Sequence, residues 1–178
     1  MSGVDTDAIN LALLALRVAT GAVMLAHGIN HIFGGGKIAG TARWFESLGM
    51  RPGRLHAWLA SLTEVGAGAL LVLGLLTPLA GAGVVGVMVV AWVINHRGNG
   101  FFIFRPGEGW EYVMMLTFVG LALATLGPGE WSLDHALDLR DDFVGMPGLL
   151  TAVIAGGGGA GLLMAGFWRP APKASRTG

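Results

Sequence analysis

Five apolar runs, at residues 9–33, 55–76, 79–95, 110–126 and 149–168, take up more than half of this chain. Each is long enough for a helix to cross a hydrocarbon core, which needs about 20 residues and at the least about 17, at roughly 1.5 Å per residue. With 53% of its 178 residues apolar and only 12% charged, the chain has more apolar surface than a small water-soluble domain can bury. Lipid must take up the excess. Inside hydrocarbon every backbone N–H and C=O needs a partner within its own segment, so the runs are predicted to be helices despite their Val, Ile and Gly content. The expected fold class is therefore all-α, an integral membrane helical bundle.

Punctuation and charge refine that picture. Thr77 and Pro78 leave room only for a tight antiparallel link between the second and third runs. Under a five-span reading, Lys37, Arg43, Arg51, Arg54, Arg97, Arg105, Arg169, Lys173 and Arg176 all fall on one side. The other side holds Arg140 among Glu130, Asp134, Asp138, Asp141 and Asp142. The bias of Lys and Arg toward the cytoplasm predicts a multi-pass protein of the cell membrane with its N-terminus outside and its C-terminus cytoplasmic. A cleavable signal peptide is not expected, because the first ten residues lack Lys and Arg and the run behind them contains Arg17. Zero net charge and the absence of a basic cluster argue against a nucleic-acid partner, and zero cysteines exclude thiolate chemistry and iron–sulfur ligation by this chain.

Between the first two spans, Gly34, Gly35 and Gly36 should end a helix, and residues 41–48 read as a short amphipathic stretch at the headgroups, carrying Trp44 and Phe45. Phe101, Phe102, Ile103 and Phe104 form a loop too short to span, reading either as aromatic anchors or as a cover over a cavity. The glycine run from Gly156 to Gly161 suits close helix packing, within the chain or against a second copy.

A charge at mid-membrane costs about 2.5–3.5 kcal/mol on insertion scales, so intramembrane ionisable residues are the functional candidates. Counted from the ends of their runs, Arg17 and Glu64 reach overlapping depths and are expected to form an ion pair, serving either chemistry or helix register alone. His27 and His31, four residues apart, share one helix face. The topology also brings His31, His56, Asn95, His96 and Glu111 to the same end of the bundle. Imidazoles near a carboxylate can shuttle protons, which suits a quinone head group drawing protons from the aqueous edge. A histidine pair plus a carboxylate could also ligate a metal, but no metal site is expected.

Taken in order, several short motifs resemble the DoxX family of membrane proteins. They are Leu16 and Arg17 through His27, Gly28, Ile29 and Asn30; Trp44 and Phe45 through Leu48 and Gly49; Glu64 with Gly66 and Gly68; Leu73 through Thr77; and Gly109 with Glu111. Gly127, Pro128, Gly129, Ser132, Leu133 and Asp134 resemble that family's usual ending, so the likeness covers residues 13–135. His31 stands where the family usually has a lysine, which places any lysine-dependent ligand contact in doubt. The resemblance implies a four-helix membrane core over 1–135, with 136–178 adding an acidic loop, a fifth C-terminal transmembrane helix and a basic tail.

Some DoxX relatives look like membrane subunits of thiosulfate:quinone oxidoreductase, and others are associated with a membrane oxidoreductase complex containing a superoxide dismutase and a sulfurtransferase. By that resemblance, Arg17, His27, Glu64 and Glu111 would be the catalytic set, and His31, His56 and His96 would contact the cofactor, a quinone. The expected partners are the bilayer and the proteins of a redox complex, with a homo-oligomer as a further alternative. Two other functions stay open: a scaffold without chemistry that uses the fifth span, and a small-molecule or ion transporter, although no internal repeat of transporter type is visible.

Overall fold

The computed structural model describes residues 5–139 and 144–170. Arg140, Asp141, Asp142, Lys173 and Arg176, which enter the charge count by side, lie outside the described residues. The chain folds as an all-helical bundle. Helix α1 (Thr6–Phe33) is followed by the short α2 (Lys37–Ser47), then α3 (Gly53–Leu73), and α4 (Thr77–Ala91), which a π-helical turn extends from Trp92 to His96. Next come α5 (Glu111–Leu126), the single turn α6 (Leu133–Ala136) and a C-terminal helix made of α7 (Met146–Thr151), a π-helical stretch (Ala152–Gly158) and α8 (Gly159–Phe167).

Four helices are long and apolar enough to cross a membrane: Thr6–Phe33, Gly53–Leu73, Thr77–His96 and Met146–Phe167. The 16-residue α5 is apolar but shorter, about 24 Å long, and it packs against α4 and α7. Leu13, Leu16, Leu62, Leu79, Phe118 and Leu162 show how the apolar residues divide. Leu13 faces the core, and the other five are exposed where lipid would surround the bundle.

Small residues set the packing. A Cβ on Gly21 would stand 2.7 Å from the Gly68 carbonyl oxygen, and one on Gly28 would stand 2.9 Å from that of Ser61. Helices α1 and α3 therefore touch backbone to backbone and run antiparallel, a contact that only glycine permits. The same device joins α4 to α5, where a Cβ on Gly81 would meet the Gly120 carbonyl oxygen at 2.7 Å, and α4 to the C-terminal helix at Gly156. Helix α4 thus lies centrally, packed on α3, α5 and the C-terminal helix.

Loop contacts define the two ends. At the basic end the C-terminal helix is tied to the link before α3, with Trp168 Nε1 donating to the Leu48 carbonyl oxygen at 3.0 Å and Arg169 N to that of Gly49 at 2.8 Å. Arg97 sits 5.1 Å over the Trp168 ring in a cation–π contact. At the acidic end, Asn10 donates to Glu130 at 3.0 Å and accepts from its backbone N–H at 2.9 Å. The C-terminal helix ends beside α2 while α1 begins beside the loop after α5, so the chain crosses the bundle an odd number of times, as the charge partition requires.

Candidate functional site

The ion pair expected between Arg17 and Glu64 is not formed. Counting from Gly21 beside Gly68, Arg17 is level with Val72, eight residues or about 12 Å along α3 from Glu64. Depth reckoned from the ends of apolar runs failed because the register is fixed by the glycine contacts, and α1 also starts three residues before its run.

Arg17 instead closes the acidic end. Fully buried, it donates from Nη1 to the Leu71 carbonyl oxygen at 3.0 Å and from Nη2 to that of Trp131 at 2.6 Å. The Asp134 carboxylate is close enough to act on its charge. Asp134 in turn accepts from the N–H groups of Leu76 at 2.7 Å and Thr77 at 2.9 Å, capping the first turn of α4 from a distant segment. Gly74, at φ 65°, makes the left-handed turn out of α3, and a Cβ there would also strike the Arg17 guanidinium.

Glu64 meets a histidine. Its Oε2 lies 2.9 Å from His31 Nδ1, with the carboxylate 5% and the imidazole 21% exposed. The contact is close but off the line of a straight hydrogen bond, so both atoms keep hydrogen-bonding capacity. A cavity of about 670 Å³ opens beside them, with a mostly apolar wall. Its polar lining is His27, His31, His56, Thr63, Glu64, Asn95, His96, Glu108 and Tyr112.

The π-helical turn positions His96. It is closed by Arg97 N donating to the Trp92 carbonyl oxygen at 2.8 Å, and such a turn advances the residues after it relative to an α-helix. His96 Nδ1 lies 2.9 Å from the Glu108 carbonyl oxygen, which can only accept, so in the neutral ring the proton sits on Nδ1. Nε2 then accepts from the Tyr112 hydroxyl at 2.8 Å and from the Asn95 amide at 3.2 Å. His56 differs. It is buried to 2%, lies edge-on to Phe167 at 5.2 Å and tilted to Phe45 at 6.2 Å, and neither ring nitrogen makes a well-formed hydrogen bond. The Arg51 backbone is its loosely placed polar neighbour; a buried imidazole so poorly partnered is costly, and the cavity it lines is where a ligand could complete its contacts.

The structure therefore brings His27, His31, His56, Glu64 and His96 to one cavity, with His27 the most exposed of them, and leaves Arg17 and Glu111 outside its lining. Glu111 opens α5, where its Oε1 accepts from Ile103 N at 2.8 Å and holds the loop of Phe101 to Phe104 in place. Tyr112 and Glu108 line the cavity and were not singled out by the sequence. Tyr112 is the only tyrosine in the chain and lies next to Glu111, which is the signal that could have marked it. Among the described residues, no three His, Asp or Glu side chains converge as a metal site would require.

The fold and site define a multi-pass helical membrane protein with a partly buried cavity that runs along α4 and carries its histidines toward the basic end. Residues 12–97 match the DoxX family model, from the second turn of α1 through the π-helical turn after α4, which supports the resemblance to the DoxX family over this segment. No curated protein and no solved structure matches the chain.

Proposed function

We propose that this chain is a quinone-interacting membrane subunit of an oxidoreductase complex, and that it holds the quinone head group in the histidine-lined cavity. The observation that carries the reading is His56, a buried imidazole with no well-formed hydrogen bond among the described residues and the Arg51 backbone as a loose polar neighbour, lining an apolar cavity that also holds the loosely engaged contact of His31 with Glu64. A quinone head is a flat apolar ring with two carbonyl acceptors, which matches an apolar wall bearing a few convergent polar groups.

When bound, a quinone accepts two electrons and two protons. His56 offers an N–H to one carbonyl oxygen. The His31 imidazole facing Glu64, and the Tyr112 hydroxyl donating to His96, are two polar pairs through which a proton can pass to the cavity from the basic end. His27 is the exposed imidazole that lines the cavity, about 9 Å along α1 from the end of that helix at Phe33. The chain has no cysteine to carry redox chemistry itself, so the electrons come from a partner protein. The basic end, bearing Lys37, Arg43, Arg51, Arg54, Arg97, Arg105 and Arg169, faces the cytoplasm of a cell membrane and is where that partner docks.

Thermal melting of the purified protein tests the reading. A ligand that binds only the folded state stabilises it by roughly 2.7 kcal/mol at a hundredfold excess over Kd. A decyl-tailed benzoquinone should therefore raise the melting temperature by several degrees. No shift with any benzoquinone or naphthoquinone analogue overturns the proposal.

A further inference from the structure

The cavity is not sealed by the bundle at mid-depth. Leu59, Leu62 and Gly66 of α3 line it, as do Ala155 and Gly159 of the C-terminal helix, and all of these are exposed on the outer surface. They lie within membrane-spanning helices, so they are exposed to hydrocarbon rather than to water. Helix α4 forms the floor between the two walls, and its Gly83 and Gly86 present no side chain to the opening. The walls close toward the basic end, where Phe167 lies against His56. The opening thus faces sideways into the bilayer and leads toward the polar end of the cavity.

Packing does not account for the glycine at position 66. A Cβ built on Gly66 meets no heavy atom within 4 Å, and the same holds for Gly159. Gly68, two residues away, is the contrast, since a Cβ there would stand 2.7 Å from the Gly21 carbonyl oxygen. Gly68 serves the contact between helices, whereas Gly66 keeps space clear in front of the cavity.

We infer that this opening is a lateral portal for the hydrocarbon tail of a membrane-dissolved amphiphile, whose polar head reaches the histidine end of the cavity. The ligand class is a lipid-soluble compound with a flexible apolar chain, taken up from the bilayer and not from water. Gly66 and Gly159 act as residues that select for the tail. The identity of the head rests on the quinone reading above; the portal does not.

The chain has no cysteine, so Gly66→Cys and Gly159→Cys each introduce a single thiol into the full-length protein. Ile154→Cys, at an exposed position of the same C-terminal helix outside the cavity lining, is the control. In nanodiscs, the rate of labelling by a lipid-soluble maleimide is measured with a decyl-tailed benzoquinone, with the same head lacking its tail, and with decanol. The decyl quinone should slow labelling at positions 66 and 159 at least fivefold and leave position 154 unchanged, and the tailless head should have no effect at position 66. Equal protection by decanol upholds the portal and removes the quinone head of the proposed function. Failure of both decyl compounds to protect positions 66 and 159, or equal slowing at position 154, overturns the portal whatever the tailless head does to melting. A second variant checks the geometry independently. Gly66→Leu should melt like the wild type, because its side chain enters open space, and should weaken decyl-quinone binding about tenfold while sparing the tailless head. Equal weakening for both ligands overturns the portal.

Discussion

Arg17 and Glu64 stand on facing helices of one bundle and answer the cost of burial in opposite ways. The guanidinium donates to two backbone carbonyls at 3.0 and 2.6 Å, and its neighbour Asp134 accepts two backbone N–H groups. Those polar groups bond to main chain, which cannot move without unfolding an element. The Glu64 carboxylate touches only another titratable side chain, at a poor angle, beside a cavity. Both charges carry an insertion cost of comparable size. At the acidic end that cost is offset, save for the Arg17 Nε, which is buried without a partner among the described residues, by contacts that hold α1, α3, α4 and the α6 segment together. At the basic end it is left partly uncompensated, as expected where a ligand completes the set of contacts.

The largest expected effect breaks the first half of that comparison. Arg17→Met keeps the length and apolar stem of the side chain but strips the donors from the carbonyls of Leu71 and Trp131 and leaves Asp134 facing no cation. The loss should be about 3 kcal/mol, since removing one member of a buried charged cluster costs more than the cluster contributes in net terms. The melting temperature in detergent should fall sharply, while the fraction still folded binds a decyl-tailed benzoquinone with unchanged affinity. Loss of binding at normal stability would move Arg17 into the ligand site.

Glu64→Gln tests the other half and should invert the pattern. The amide fills the same space and removes a buried carboxylate that has a single loose partner, so stability should change by no more than about 1 kcal/mol in either direction. Quinone affinity should drop about tenfold, because the group facing His31 at 2.9 Å loses its charge and exchanges one acceptor oxygen for a donor. If this variant instead melted like Arg17→Met and bound normally, the two ends would be alike and both structural.

The sequence made the helices legible and their register illegible, for one physical reason each. Hydrocarbon dictates the length and internal bonding of a spanning helix, so apolar runs locate α1, α3, α4 and the C-terminal helix within a few residues, and Gly34 marks where α1 stops. Register depends on which small residue meets which. Nothing along the chain states that Gly21 faces Gly68, and the expected register differs from the observed one by eight residues, about two turns, which exchanges Glu64's partner from Arg17 to His31. The histidines could be gathered at one end because the topology alone sorts helix ends. Tyr112 could not be told from an interfacial aromatic until the π-helical turn after α4 was seen to bring His96 within 2.8 Å of its hydroxyl.

The smallest expected effect concerns Glu111, one residue before Tyr112. Its Oε1 accepts from Ile103 N at 2.8 Å in an exposed setting, so its task is to hold the aromatic loop over the start of α5. Glutamine retains an acceptor oxygen of the same reach, and the change from a charged to a neutral acceptor should cost less than about 1 kcal/mol there. Glu111→Gln should therefore match the wild type in quinone affinity and nearly match it in melting temperature. Glu111→Ala leaves the Ile103 N–H to water and should cost about 1 kcal/mol, again without a change in affinity. Calorimetric titration with the decyl-tailed benzoquinone, run on both variants beside Tyr112→Phe, makes the comparison sharp, because only the phenylalanine variant removes a group that lines the cavity. A Glu111→Gln protein that folds normally but binds weakly would place this carboxylate at the ligand and displace the pair of Tyr112 with His96 from the role of proton donor.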